Sequence, residues 1–187
     1  MGKLISSINI TPDGFCNHAD VIADEEHHKF SIGQMKTTDM VIFGRTTYQL
    51  FESFWPKAAS DTTLPEWIRE FGQYIDAVQK TVYSKTLKEV NWKNTQILPE
   101  IDPDYISKLK LETEKDILIY GSPTIISELS GLDLIDEYNF LLQPIISGTG
   151  KRIPANISTE MCHNLELKSS EKFSSGVLNL SYGKVIS

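Results

Sequence analysis

Along this chain, apolar runs of β character alternate with stretches whose apolar residues recur at helical spacing. Leu4 to Ile10, Met40 to Phe43, Thr81 to Tyr83, Ile117 to Tyr120 and Tyr138 to Ile146 read as strands, rich in branched and aromatic side chains. Between them, Asp24 to Thr37, Thr46 to Phe54, Pro103 to Leu111 and Pro123 to Leu129 read as helices. Such alternation predicts a largely parallel sheet covered on both faces. The end of the chain differs: Asn164 to Phe173 and Val177 to Ile186 are strand-like runs joined by Ser174-Ser175-Gly176, which predicts an antiparallel hairpin. The expected fold is therefore α/β, a mixed and mostly parallel sheet flanked by helices, with a C-terminal antiparallel hairpin. Pro56 to Pro65, rich in Ala, Ser, Asp and Thr, reads as a surface loop within a single domain spanning 1–187.

Composition changes this picture little. A chain of 187 residues, 40% apolar and 23% charged, is ordinary for a globular protein and needs no metal or disulfide staple. Its 18 basic and 25 acidic residues leave a formal charge of −7, and no Lys or Arg run tracks a phosphate backbone, so no nucleic-acid partner is expected. MGKLISSINI lacks the apolar core of a signal peptide, and no apolar run approaches the roughly 18 residues of a membrane span, so a cytoplasmic, membrane-free protein is expected. Cys16 and Cys162 are far apart and outside any C-x-x-C motif, which reads as two reduced thiols.

Candidate chemistry gathers at three strand ends. After Met40 to Phe43 comes Gly44-Arg45-Thr46-Thr47, where a glycine turn meets a helix start: unpaired N–H groups and the positive end of the helix dipole suit a phosphate, with an Arg fork and two hydroxyls beside them. Ser84-Lys85-Thr86 follows the Thr81 to Tyr83 strand with hydroxyls and a cation. Gly121-Ser122-Pro123-Thr124 repeats the first design, with serine at the cap and proline at the first helical position. Taken singly, each is also an ordinary turn or cap. Three on one edge of one sheet point together to a dinucleotide. No G-x-G-x-x-G occurs, and Ser147-Gly148-Thr149-Gly150-Lys151 lacks P-loop spacing, so an ordinary Rossmann domain and an NTPase are disfavoured.

Thr11-Pro12-Asp13-Gly14 makes a turn after the first strand, and His18, Asp20, Asp24, Glu25, Glu26, His27 and His28 follow. H-E-x-x-H is absent, and adjacent His27 and His28 on a helix point about 100° apart, so no metal site is expected. Asp24 suits a helix cap. Asp24, His18 and His27 are also the candidates to donate or relay a proton, because hydride reduction of a C=N bond leaves a nitrogen to be protonated. No G-x-S-x-G elbow supports a serine hydrolase.

These pieces together (ITPDGF, NHADVIADEEHHKF, MVIFGRTTYQLFESFWP, KTVYSKTL, VNWKNT, DILIYGSPTIISEL, GLDLIDEYNFLLQPIISGTGKR and the final hairpin) resemble the dihydrofolate reductase-like superfamily nearly end to end. Within it the chain is most similar to the reductase domain of the bifunctional riboflavin-biosynthesis deaminase-reductase. The resemblance implies NADPH lying across the strand ends: Gly44, Arg45, Thr46 and Thr47 on its phosphates, Ser84, Lys85 and Thr86 at the adenosine 2′-phosphate, and Gly121, Ser122, Pro123 and Thr124 on the pyrophosphate. Asp13 and Gly14 would lie in the loop closing over the nicotinamide. It further implies hydride transfer to a small heterocyclic substrate, a pteridine or ribosylaminopyrimidine-like compound, and a homodimer. A non-catalytic NADP(H)-binding protein of the same fold is the alternative. One departure stands out: the acidic residue that serves dihydrofolate reductases on their first long helix has no secure counterpart here, and spacing back from Gly44 lands near His28.

Overall fold

A strand buried on both faces cannot alternate apolar with polar residues, and the central strands of this sheet do not. The structure, a computed structural model, describes residues 1–153 and 164–185. Cys162 and Ile186 lie outside the described residues. The strands are Leu4–Ile10 (β1), Thr38–Gly44 (β2), Gln79–Tyr83 (β3), Thr95–Leu98 (β4), Asp116–Tyr120 (β5), Glu137–Leu142 (β6), Leu165–Lys172 (β7) and Leu178–Lys184 (β8). The helices are Glu25–Lys36 (α1), Arg45–Ala58 (α2), Glu66–Ala77 (α3), Pro103–Glu112 (α4) and Pro123–Gly131 (α5).

The strands form one sheet in the order β4-β3-β2-β5-β1-β6-β8-β7. The six from β4 to β6 run parallel, and β8 is antiparallel to both β6 and β7. This is the mixed sheet with a terminal hairpin that the pattern predicts. Along β5, Ile117 and Ile119 enter one core with Ile106 of α4 and Ile126 and Leu129 of α5, while Leu118 and Tyr120 enter a second with Ile32 of α1, Tyr48 of α2 and Phe71 of α3. Helices α4 and α5 thus cover one face, and α1, α2 and α3 the other. Register levels the ends of β2, β3 and β4, with Gly44 opposite Tyr83 and Tyr83 opposite Leu98, while β1 continues to Ile10 beyond Ser7, which lies opposite Tyr120 at the end of β5. Among the described residues no helix is long and apolar enough to cross a membrane.

Four points depart from the expectations. The segment 56–65 is not all loop, because α2 continues through Pro56 to Ala58, held there by Trp55 packed edge-on against Phe71 at 4.6 Å and by the buried Ala58. Two elements were missed. Helix α3 is one, although Ile68, Phe71, Gly72 and Ile75 keep the i, i+3, i+4, i+7 spacing of a helix face. The short edge strand β4 is the other, half polar and without a strong apolar signal. Strand β6 stops at Leu142, short of Ile146: the Gln143 N–H still donates to the Ile10 carbonyl at 2.8 Å, but Pro144 has no N–H to continue the ladder.

One buried cation pins the α3 end of the sheet. Lys80 of β3 is buried, and its Nζ donates to the carbonyls of Ile75, Asp76 and Val78 at 3.0, 3.2 and 2.7 Å. It also lies 4.5 Å from the centre of the Trp92 ring, whose Nε1–H donates to Asp76 at 2.8 Å. A cation at the C-terminus of α3 satisfies orphan carbonyls and meets the negative end of the dipole. Burial nonetheless pulls its pKa down to about 8. Lys80→Met keeps the apolar stem but strands these carbonyls. It should lower unfolding free energy by on the order of 3 kcal/mol in urea denaturation, whereas a change under about 0.5 kcal/mol would show that the carbonyls find other partners.

Candidate functional site

Parallel strands leave a crevice at their carboxyl edge where the following helices part to opposite faces. Here β2 leads into α2 on one face, and its neighbour β5 leads into α5 on the other. A cleft of about 1400 Å³ opens between them and runs across the ends of β3, β2, β5, β1 and β6.

Two of its walls are helix N-termini without side-chain caps. Gly44 at the start of α2 has no side chain, and the Ser122 hydroxyl makes no cap bond at the start of α5. By contrast Asp24 caps α1 through the His27 N–H at 2.8 Å, and Asp102 caps α4. The N–H groups at both cleft helices therefore stay free for an anion. The junctions also touch: a Cβ on Gly44 would overlap the Ser122 hydroxyl and crowd the Ser122 Cβ at 3.1 Å, so a side chain there would displace Ser122. Gly121 and Ser122 both sit in the left-handed region, at φ +54° and +56°.

Of the residues singled out from the sequence, Gly44, Arg45, Thr46, Thr47, Ser84, Lys85, Gly121, Ser122, Pro123, Thr124, His18 and His27 all line this one cleft. Thr86, Asp13, Gly14 and Asp24 do not. Ser84 Oγ accepts from the N–H groups of Thr86 and Leu87 at 3.2 and 3.0 Å, a local turn that leaves Thr86 outside. Asp13 takes the Thr11 hydroxyl at 2.6 Å and the N–H groups of Gly148 and Ser147 at 2.7 and 3.2 Å, and these bonds pull its pKa down to about 2. It stitches the loop after β1 to the glycine-rich loop after β6. Asn17 adds to the seam, donating to Ser147 Oγ and the Thr149 carbonyl at 2.8 and 2.7 Å.

The Asp24 carboxylate faces the helix end. Burial pushes its pKa up, and hydrogen bonding led by the His27 N–H outweighs this and lowers it. His27 and His28 both line the cleft, their rings edge to face at 5.6 Å, although their helical directions differ. A chain of bonds sets the His27 tautomer. The Ile22 N–H donates to Gln143 Oε1 at 2.9 Å, so Gln143 Nε2 donates to Asn9 Oδ1 at 2.8 Å, and that oxygen faces His27 Nε2 at 3.1 Å. His27 Nε2 must therefore carry the hydrogen, and its Nδ1 is buried without a partner. Burial pushes the His27 pKa from 6.5 down to about 4, with His28 adding to the fall and Asp24 opposing it.

The wall missed by the sequence reading is aromatic. Thr47, Leu50, Phe51 and Phe54 fall at i, i+3, i+4 and i+7 on α2 and share one face toward the cleft, joined by Trp55, Phe71, Tyr120 and His28. That spacing was the available signal. Leu50 and Phe54 remain 37% and 44% exposed, which leaves apolar surface for a ligand to cover.

Comparisons with known proteins agree with this geometry. Residues 3–179 match the RibD C-terminal domain family. The protein YyaP of Bacillus subtilis (strain 168) is 30% identical over 148 residues, covering 77% of this chain and 73% of that one. RibD of Acinetobacter baumannii superposes with a TM-score of 0.69 at 13% identity, over 99% of this chain and 58% of that one. Dihydrofolate reductase from Enterococcus faecalis, complexed with NADP(H), gives 0.61 at 11% identity, over 98% and 96%. The two structural likenesses show the dihydrofolate reductase-like fold.

The buried imidazoles carry a pH signature. Between pH 6.5 and about 4 the unfolded chain binds a proton that folded His27 refuses. Stability from this group is complete above the unfolded pKa and is lost as pH falls through that window, by at most about 3 kcal/mol. Urea midpoints should decline over this range in the native protein and distinctly less in His27→Gln; equal declines would sink the assignment.

Proposed function

Because this chain belongs to the RibD C-terminal domain family, we propose that it is an NADPH-dependent reductase that transfers hydride to a small heterocyclic substrate, a pteridine or ribosylaminopyrimidine-like compound. The observation that carries the reading is the meeting of two uncapped helix N-termini in one cleft with Arg45 and Lys85 beside them. Free N–H groups and cations beside them suit a pyrophosphate, and glycine at 44 lets the two junctions close together. In this reading Gly44 to Thr47 and Gly121 to Thr124 hold the phosphates, and Ser84 and Lys85 receive the adenosine 2′-phosphate. The nicotinamide supplies the hydride.

The other half of the cleft takes the substrate. Asn9 and the neutral His27 sit at the end of β1, and His18 lines the same half from the short 3₁₀ turn His18–Asp20. His27 holds no imidazolium proton near neutral pH, so the reading assigns protonation of the reduced atom to His18 or to water, with His27 as a relay. Asp24 serves by fixing the start of α1. The protein works in the cytoplasm, and the family likeness favours a dimer.

Titration with NADPH and NADH, followed by tryptophan fluorescence and melting temperature, tests the reading. NADPH should quench saturably and raise the melting temperature, NADH should bind more weakly, and Arg45→Ala should weaken NADPH by about tenfold or more. If neither nucleotide binds, the proposal fails; binding without turnover on any heterocycle tried would favour the non-catalytic alternative.

A further inference from the structure

The C-terminal hairpin returns to the same edge of the sheet as the cleft. Strand β8 runs antiparallel to β6, with Leu178 opposite Leu142, so the turn between β7 and β8 stands at the carboxyl end of β6. Phe173 and Val177 are buried there with Leu141 in a third, small core, against Ile22 ahead of α1 and Phe30 within it. The turn is tight: the Phe173 N–H donates to the Val177 carbonyl at 2.9 Å, and the Gly176 N–H to the Phe173 carbonyl at 3.0 Å.

From this turn one residue grips the first turn of α1 twice. The Ser174 N–H donates to Glu26 Oε2 at 2.6 Å, and the Ser174 hydroxyl donates to the same oxygen. Phe30, one helical turn along the same face, lies 6.3 Å ring to ring from Phe173, and the buried Ser175 hydroxyl lies beside the Asp24 carboxylate. Asp24 in turn holds both imidazoles. Its carboxylate accepts the His27 N–H at 2.8 Å, and its carbonyl oxygen, which can only accept, takes the hydrogen of His28 Nδ1 at 2.8 Å. The His27 ring then reaches β1, where Nε2 meets Asn9 Oδ1 at 3.1 Å. A shift of the first turn by about 0.5 Å would carry that contact beyond hydrogen-bond range.

A carboxylate in the first turn favours the helix wherever its side chain points, so the helix dipole alone would suit Glu25 and Glu26 equally. The two are used differently. Glu25 pairs with Lys29 at 2.7 Å on its own helix, whereas Glu26 is bonded to the hairpin.

We propose that the tip of the C-terminal hairpin is a clamp on the site: Ser174, through Glu26, fixes the first turn of α1 and so sets where the His27 and His28 rings stand. Glu26 and Ser174 are then positioning residues. The inference concerns the placing of these rings, so it holds or fails independently of the reductase reading.

Ring-proton NMR titration of the histidines in the full-length protein tests it. The charged groups acting on His27 are His28 and Asp24, and burial holds its native midpoint near about 4. Removing a nearby carboxylate by itself favours the neutral ring and lowers the midpoint; loosening the turn lets water reach the ring and raises it. Glu26→Ala should therefore raise the His27 midpoint by about one pH unit or more. Ser174→Ala, which loses the hydroxyl and keeps the N–H, should raise it by less. Glu26→Gln, which keeps an acceptor oxygen, should stay near the native value, as should Glu25→Ala, which removes the same charge from the neighbouring position. A purely stabilising role would lower the urea midpoint of Glu26→Ala and leave the His27 titration in place or lower, and that result overturns the inference. An equal rise in Glu25→Ala or Glu26→Gln overturns it as well. Should Glu26→Ala fail to fold, Ser174→Ala decides, and a His27 midpoint that does not rise in that variant overturns the clamp.

Discussion

The close approach of the β2 and β5 ends, Gly44 against Ser122, is the constraint on which the site depends. Adjacent parallel strands that send their helices to opposite faces must leave a crevice between the two N-termini. Whether it becomes a binding site depends on what fills it. A capping side chain at either helix would satisfy its own N–H groups and occupy the gap, as Asp24 and Asp102 do at α1 and α4. Here neither junction has such a cap, and Gly121 and Ser122 adopt left-handed backbone at the turn. Local capping stability is forgone at the two junctions whose N–H groups face the cleft, while Asp24 and Asp102 supply it at α1 and α4.

The part of the molecule that was legible in sequence is the part governed by local rules. β1 was bounded residue for residue, and α4 and α5 to within two residues, because branched apolar residues and proline at the first helical position act within a few residues of themselves. The three strand-end junctions were readable for the same reason, since glycine, serine and proline mark a turn whatever packs on it. Pro56 misled: proline late in a helix removes one hydrogen bond, and the packing of Trp55 on Phe71 and burial of Ala58 outweigh that loss.

The part of the cleft around Asn9 and His27 was not legible because its chemistry is set by contacts between distant segments. Asn9 and Gln143 are unremarkable in sequence, yet the backbone N–H of Ile22 orients Gln143, Gln143 orients Asn9, and Asn9 decides which nitrogen of His27 carries a hydrogen. Asp13 is a similar case. The family resemblance puts it in a loop beside a nicotinamide, and the contacts of its carboxylate, which holds the loop after β6 at Ser147 and Gly148, could not be read from its neighbours in sequence. The roles of such side chains follow from partners more than a hundred residues away, and no local spacing announces them.

The cleft joins two environments with opposite requirements. At the β2 and β5 junctions, fixed N–H groups and cations favour a multiply charged anion, and exposure of Arg45 and Lys85 costs little because the charges remain hydrated. Around His28, rings on several sides exclude water, and burial opposes a charge on the imidazole itself. The backbone resolves the conflict by bonding. The Asp24 carbonyl takes the hydrogen of His28 Nδ1, and the Asp24 carboxylate turns away to the His27 N–H. One residue thus removes its own charge from the cleft and leaves a neutral acceptor in its place.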